Sequence, residues 1–298
     1  MKKLLIVYLT LLTVSSMLLL TGCSAIFNTT KLGEVVNKTY DFKDFNNVDI
    51  SSAFQYEITR SDMYSVVVST NENMFEHMDV HQSGNTLNIG MKFLFSGSNP
   101  KITITMPQLN KLAVSGDCRG SATGFVSASD LEIDLSGASR MEADFKVGTA
   151  KLDISGDSTI TGDLTSTDTQ IRLSGASRLN MVLTTGKTYI NASGDSDIRG
   201  SLQALDCLVT LSGASNCELT GSAGDGLISA EGDSNLNSPG ITLKSADVKL
   251  TGASQATFYT DGTINVDISG DSILNYYGNP SIGKIAISGE AKMNHAAY

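Results

Sequence analysis

Leu152-Asp153-Ile154-Ser155-Gly156-Asp157-Ser158-Thr159-Ile160 is followed, nineteen residues later, by Ile171-Arg172-Leu173-Ser174-Gly175-Ala176-Ser177-Arg178-Leu179. The central phrase, Ser-Gly-Asp-Ser or Ser-Gly-Ala-Ser with small variations, recurs ten times between Ser115 and Ala291. Its glycines are Gly116, Gly137, Gly156, Gly175, Gly194, Gly213, Gly232, Gly252, Gly270 and Gly289, spaced by 21, 19, 19, 19, 19, 19, 20, 18 and 19 residues. A fixed period over so long a stretch marks a solenoid, in which one unit per turn stacks on its neighbour and only the stack buries a core.

The residues around each glycine say which solenoid. Four positions before it stand Leu112, Ile133, Leu152, Ile171, Ile190, Val209, Ile228, Val248, Val266 and Ile285, all aliphatic. Two positions before it the set runs Val114, Leu135, Ile154, Leu173, Ala192, Leu211, Ala230, Leu250, Ile268 and Ile287. Met141, Ile160, Leu179, Ile198, Cys217, Leu236, Leu274 and Met293 continue it four positions after. The residues between are mostly polar, as at Asp134, Asp153, Arg172, Asn191, Thr210, Lys249 and Asp267. Alternation at period two means strands with one buried face. Two strands meet at the glycine, which supplies the positive φ of a tight corner. The reading is an all-β solenoid of about 19 residues per coil.

The residue after each glycine refines this. Asp117, Ala138, Asp157, Ala176, Asp195, Ala214, Asp233, Ala253, Asp271 and Glu290 alternate acid with alanine for nine repeats. Stacked one repeat per coil, these residues form an outward column with neighbours about 4.8 Å apart, and alanine doubles the gap between carboxylates to about 10 Å. Two repeats per coil would put the acids in one unbroken column, so one repeat per coil is expected. Arg140 and Arg178 are placed to bridge the acids above and below.

Composition narrows the function. The chain has 298 residues, a formal charge of −10, 17% charged residues and no Trp. Such acidity argues against nucleic acid and against electrostatic attachment to anionic lipid. Four cysteines in a chain this long do not make a disulfide framework.

Residues 1–22 read as an export signal: Lys2 and Lys3, then an apolar run from Leu4 to Leu20. The run ends in Leu20-Thr21-Gly22-Cys23, a lipobox whose cysteine is lipidated and becomes the mature N-terminus. Without Lys2 and Lys3 the charge becomes −10 − 2 = −12. Two or three acyl chains give stable anchoring, so contact with a membrane through the N-terminal lipid is expected. The uncleaved membrane anchor is the alternative. Residues 23–37 form a tether, and residues 38–298 a single solenoid domain divided into an irregular β-rich cap (38–110) and the ten-repeat stack (111–298). Within the cap the pattern predicts strands at Asn47–Ile50, Phe54–Thr59, Tyr64–Ser69, Met78–Gln82, Thr86–Met91 and Lys101–Met106. It also predicts a helical turn over Glu72–His77 and a hairpin at Ser83-Gly84-Asn85.

Phe45-Asn46-Asn47-Val48-Asp49-Ile50, Ala53-Phe54-Gln55-Tyr56-Glu57-Ile58-Thr59 and Tyr64-Ser65-Val66-Val67-Val68 resemble the opening of the head GIN domain family. So do Gly84-Asn85-Thr86-Leu87-Asn88-Ile89, Ile102-Thr103-Ile104-Thr105-Met106-Pro107 and Leu112-Ala113-Val114-Ser115-Gly116. The resemblance runs from about residue 38 to the end, and the Ser-Gly corners are its most specific mark. Members are auto-transporter adhesin heads of bacteria, often lipoproteins. The resemblance implies a right-handed, two-sheeted parallel β-helix-like superhelix, similar in outline to pectin lyases but without their catalytic residues. It also implies a role in cell adhesion.

Candidate chemistry is sparse. The serines after the corners (Ser139, Ser158, Ser177, Ser196, Ser215, Ser234, Ser254, Ser272) point inward by period two and have no nearby histidine, so a hydroxyl ladder bonding to corner backbone is expected, not a set of nucleophiles. Asp117, Asp157, Asp195, Asp233 and Asp271 are weak metal candidates, because the clustered Gly and Asp of a calcium-binding nonapeptide are missing. Cys118, Cys207 and Cys217 read as small buried hydrophobes. Free thiols are expected at Cys207 and Cys217, with a disulfide after export as the alternative. His77, His81 and His295 lie outside the repeats. No catalytic residue and no cofactor is expected.

The sequence therefore reads as a non-catalytic, lipid-anchored binding or adhesion module of the cell envelope, on an outer membrane or cell surface, whose ligand is a glycan or a protein. The alternatives are a polysaccharide-processing enzyme of the β-helix type and an envelope-stress or signalling accessory. The last repeat stops at Tyr298 with no charged cap, so either weak self-association or cover by the final residues is expected there. Lipidation is directly testable: Cys23→Ala should leave an unprocessed precursor that incorporates no labelled fatty acid. Unchanged labelling in that variant would contradict the lipobox reading.

Overall fold

A corner that repeats must tolerate its own copy lying directly above it, and this requirement shapes the whole stack. In the computed structural model, which describes residues 32–93 and 97–296, all ten corner glycines have φ between 73° and 91°. From Ala138 through Asp271 the amide after the glycine donates to the carbonyl of the glycine one coil earlier: Asp157 to Gly137, Ala176 to Gly156 and Asp271 to Gly252, each at 2.8 Å. A Cβ on Gly194 would lie 2.6 Å from the Gly175 carbonyl oxygen. Positive φ and this close approach both exclude a side chain.

The strands on either side follow in register. Thr149–Ile154 pairs in parallel with Asp168–Leu173, Thr149 opposite Asp168, and Thr159–Thr165 pairs with the first half of Arg178–Ala192. One repeat makes one coil, and the solenoid has two ladders: strands before the corners stack in one, strands after them in the other. The predicted inward columns are buried as far as Leu274, and the corner serines are at most 1% exposed. A coil contributes only a handful of inward side chains, each stabilising by about 1.5–3 kcal/mol when fully buried. Burial is complete only between coils, so no repeat folds alone.

The N-terminal part holds strands β1 (Val35–Tyr40), β2 (Asn47–Ser52), β3 (Gln55–Arg60) and β4 (Ser65–Asn71). After a 3-10 helix at Glu72–His77 come β5 (Met78–Ser83), β6 (Thr86–Met91) and β7 (Lys101–Met106). The sequence placed all of these except β1 within two residues; β1 begins at Val35, inside the expected tether of residues 23–37, because Val35–Tyr40 pairs with β4. It did not show that the segment contains two further coils. β2 and β3 pair in parallel with β8 (Lys111–Gly116) and β9 (Arg119–Val126), Ser52 opposite Gly116 and Gln55 opposite Arg119. Ser52 is thus an eleventh corner, with φ 102° and its carbonyl accepting from Asp117 at 2.7 Å. Ala53 follows it, so the alternation of alanine and acid runs one coil further back.

The order in space differs from the order in sequence. β6 and β7 stack in parallel on the far side of β2 and β3, which are therefore sandwiched between an inserted coil and the first repeat. Beyond this the stack closes with antiparallel strands, β5 on β6, then β4 on β7 and β1 on β4. Residues Glu34–Tyr298 make one compact unit. Every buried hydrophobic side chain described lies between Phe45 and Leu274, so this unit carries its own core.

Arg178 Nη1 lies 2.8 Å from Asp157 Oδ1, pairing with the acid one coil earlier but, among the described residues, not with Asp195 one coil later. Arg140 has no such ion pair among the described residues. The alternation itself can be tested at Ala214, which stands between Asp195 and Asp233 and is followed two residues on by Asn216 instead of an arginine. Ala214→Asp should cost roughly 1 kcal/mol at low salt, from two like charges about 4.8 Å away. Urea midpoints should show the loss shrinking as salt rises. A loss independent of salt would mean that sterics, not charge, keep alanine there.

Candidate functional site

Inward columns of a solenoid are held to small or aliphatic residues by packing, so a site must be sought in the outward columns. Five residues before each corner glycine, on the ladder of pre-corner strands, Tyr189 faces Leu208, Leu208 faces Leu227, Leu227 faces Asp247 and Asp247 faces Asn265 in successive coils. Tyr189 is 44% exposed and Leu227 46%, an apolar stripe on an otherwise polar face. Leu205, just before the strand segment that carries Leu208, is more exposed still. Two positions before this column, Lys187, Asp206, Asp225 and Ser245 stack in the same way. The stripe and the acids bound a shallow groove of about 360 Å³. It continues past Leu227 and Asp247 into a second depression of about 240 Å³ rimmed by Lys249, Asn265, Asp267 and Lys284.

The groove's acids are fixed but not neutralised. Asp247 Oδ1 accepts from Asn265 Nδ2 at 2.6 Å, Asp225 Oδ1 from the Ser245 hydroxyl, and Asp206 Oδ1 from the Asp225 amide at 3.4 Å. Among the described residues none of the three forms an ion pair with Lys or Arg. All three line the groove, and a carboxylate accepts from hydroxyl, amide or cationic donors. The combination of apolar floor and oriented acceptors suits a binding site.

Earlier in the same ladder the outward charges are spent on one another. Lys111 reaches Asp134 at 2.7 Å, and Lys151 reaches Glu132 at 2.8 Å and Asp153 at 2.7 Å. Hydrogen bonding from Lys151 holds the Glu132 carboxyl below its usual range. Glu132, Asp134 and Asp153 are the one group of acids, among the described residues, close enough to share a metal ion, and lysines already occupy their inner oxygens.

The other predicted residues fall as follows. Asp117, Asp157, Asp195, Asp233 and Asp271 stand in the exposed corner column, separated by alanines and not gathered into a cluster. Asp117 pairs with Arg119 at 2.8 Å. Most corner serines close their own turns: Ser196 donates to the Ser193 carbonyl at 2.7 Å and Ser272 to that of Ser269 at 2.7 Å. Ser139 instead donates to the Gly116 carbonyl of the coil before at 3.3 Å, and the buried Ser158 hydroxyl has no partner among the described residues. His81 contacts Asp79 at 2.9 Å, and His295 stacks on Tyr276 with ring centroids 5.0 Å apart. Cys23 and its leader lie outside the described residues.

Cys118, Cys207 and Cys217 are free and buried. Cys118 Sγ accepts from the Phe54 amide at 3.4 Å, taking the place of the corner serine. Burial pushes the Cys207 thiol up to about 11 and Cys217 higher still, so both stay protonated and unreactive in the fold. The folded state therefore loses stability as pH rises from the ordinary thiol value near 9 toward the raised ones. Iodoacetamide at pH 8 should alkylate neither cysteine until urea unfolds the chain. Rapid labelling of the native protein would contradict the packing described.

The family described as "putative auto-transporter adhesin, head GIN domain" matches residues 44–182 and again 169–280. Two overlapping matches on one continuous stack are what a repeating coil produces, since the family pattern can start again partway along it. No curated protein matches the chain. Among solved structures, the fold is similar to that of a "putative lipid binding protein" from Parabacteroides distasonis ATCC 8503, with a TM-score of 0.50 and 15% identity over 89% of this chain and 98% of that one. It is also similar to that of a "putative adhesin" from the same organism, with a TM-score of 0.50 and 14% identity over 88% of this chain and 97% of that one. At such identities the likeness is one of fold. Corner glycines, stacked coils and the span of the family match, residues 44–280, lead to one assignment: the chain belongs to the auto-transporter adhesin head GIN domain family.

Proposed function

We propose that the protein is a lipid-anchored, non-catalytic binding module of the adhesion type, displayed on the cell envelope, whose ligand is a glycan or a protein seated on the Tyr189–Leu227 groove. The observation that carries this is the Tyr189–Leu208–Leu227 stripe, half-exposed at Tyr189 and Leu227, beside three carboxylates that have no ion-pair partner among the described residues. A stack of hydrogen-bonded coils holds these side chains in fixed columns, so little ordering cost is left for binding. The adhesin description of the family supports an external location. Leu20-Thr21-Gly22-Cys23 supports attachment through lipid, and no helix among the described residues is long and apolar enough to cross a membrane. The corner serines are buried and most are engaged with backbone, which supports the non-catalytic reading.

The test is to screen the Glu34–Tyr298 unit on arrays of glycans and matrix proteins, with Leu227→Asp and Tyr189→Ala as variants. Both side chains are half exposed, so the fold should keep its circular dichroism. Binding to any ligand found should weaken about tenfold or more, on the scale of one lost apolar anchor. Undiminished binding by both variants would move the site elsewhere.

A further inference from the structure

Among the described residues the two ends of the stack differ: one is topped by antiparallel strands and the other ends in a parallel coil. At the N-terminal end the parallel coils finish under the antiparallel strands β5, β4 and β1. At the C-terminal end the last strands, Ser281–Ile287 and Lys292–His295, each pair on one side only, with Thr263–Ile268 and Ile273–Tyr277. All seven residues of Ser281–Ile287 are exposed. Ile282, Ile285 and Ile287 lie opposite the buried Ile264, Val266 and Ile268, yet are 46%, 52% and 45% exposed. Among the described residues nothing folds back over them; Ala296 continues the ladder by donating to the Tyr276 carbonyl.

We propose that this open end packs against the same end of a second copy of the chain. The columns ending in Ile282, Ile285 and Ile287 are those that receive Val- and Ile-bearing coils elsewhere in the stack, so the surface they offer fits another coil of this solenoid. A tail-to-tail contact is isologous and closes at two, whereas a head-to-tail contact would set this parallel coil against the antiparallel edge strand β1 and run on as a filament. Strand edges then meet antiparallel.

Charge selects the register. Ile285 and Met293 lie four residues to either side of Gly289, so a two-fold axis normal to the sheets passes near both. With Ile285 on the axis, Lys284 faces Ala286 of the second copy, and with Met293 on it Lys292 faces Asn294. Centring the contact on Lys284 would set two ammonium groups directly opposite. The register shifts between Ile264 and Val266, where Gly283 and Lys284 bulge from the edge. A ladder centred on Ile285 therefore meets this bulge where Ile287 faces Gly283 of the second copy, which keeps it short.

The contact is small. Seven residues extend about 23 Å, and two sheets lie about 10 Å apart. The end face is well under the roughly 800 Å² per partner of a standard stable interface. Association is weak in solution and gains from crowding many copies on one surface. If the lipid anchor proposed above holds, the dimer carries its two capped, N-terminal ends at opposite poles, so it joins copies on facing surfaces. Pairing itself does not depend on that anchor.

The experiment is sedimentation and small-angle scattering of the Glu34–Tyr298 unit from about 10 μM to about 1 mM, the range a small interface demands. The mass should move toward double, and the maximum dimension should nearly double with it. The double variant Ile285→Lys/Ile287→Lys should stay monomeric with unchanged circular dichroism and melting temperature, because both side chains are already exposed. Leu227→Asp, which tests the ligand groove, should still dimerise, so the two proposals fail separately. A monomer at every concentration, a dimer no longer than the monomer, or a dimer that survives the lysine substitutions would each overturn the proposal.

Discussion

The structure rests on one hydrogen bond repeated up the solenoid, from the amide after a corner glycine to the carbonyl of the corner glycine one coil before. It forms at 2.7–2.8 Å from Ala138 through Asp271, and it forms only because no Cβ intervenes. A single methyl at Gly175 would meet the Gly156 carbonyl oxygen at 2.8 Å, closer than such contacts allow. This contact fixes the rise per coil, and the rise fixes the parallel register of both ladders. The register aligns the aliphatic columns whose burial supplies the stability. At Ser177, Ser196, Ser215, Ser234, Ser254 and Ser272 the serine two residues after the glycine then ties the corner to itself. Chemistry, packing and architecture thus have one origin.

The same constraint explains where function can reside. Inward columns cannot vary without opening a cavity, and the corner must stay small. Outward columns carry no such burden, and they diverge along the stack. Over residues 111–172 the outward face is an ion-pair network in which Lys111 and Lys151 are shared among Glu132, Asp134 and Asp153. From Tyr189 to Leu227 that face turns apolar, and its acids lose their basic partners. Such a local departure from the repeat's own grammar is what a binding surface requires.

The glycine period and the period-two alternation were enough to read the coil, its length and the inward columns, because each is a direct consequence of stacking. What escaped that reading is equally physical. Ser52 occupies a corner without being glycine, held at φ 102° by coils on both sides, so no glycine signal marks it. The coil of β6 and β7 lies before β2 and β3 in space but after them in sequence, an inversion no periodicity reveals. The groove was missed for another reason: alternation separates inside from outside but does not compare outward residues between coils. Written as columns, Tyr189, Leu208 and Leu227 align at once.

The central claim is that each 19-residue repeat is one coil, and a distance along the corner column tests it most directly. Spin labels at Ala138→Cys and Ala253→Cys would sit six corners apart, counting from Gly137 to Gly252, while the buried native thiols stay unlabelled. One repeat per coil predicts a separation of about 29 Å by double electron–electron resonance, and two repeats per coil about 14 Å. A distribution centred near the longer distance supports the stack of glycine corners; one centred near the shorter would contradict it.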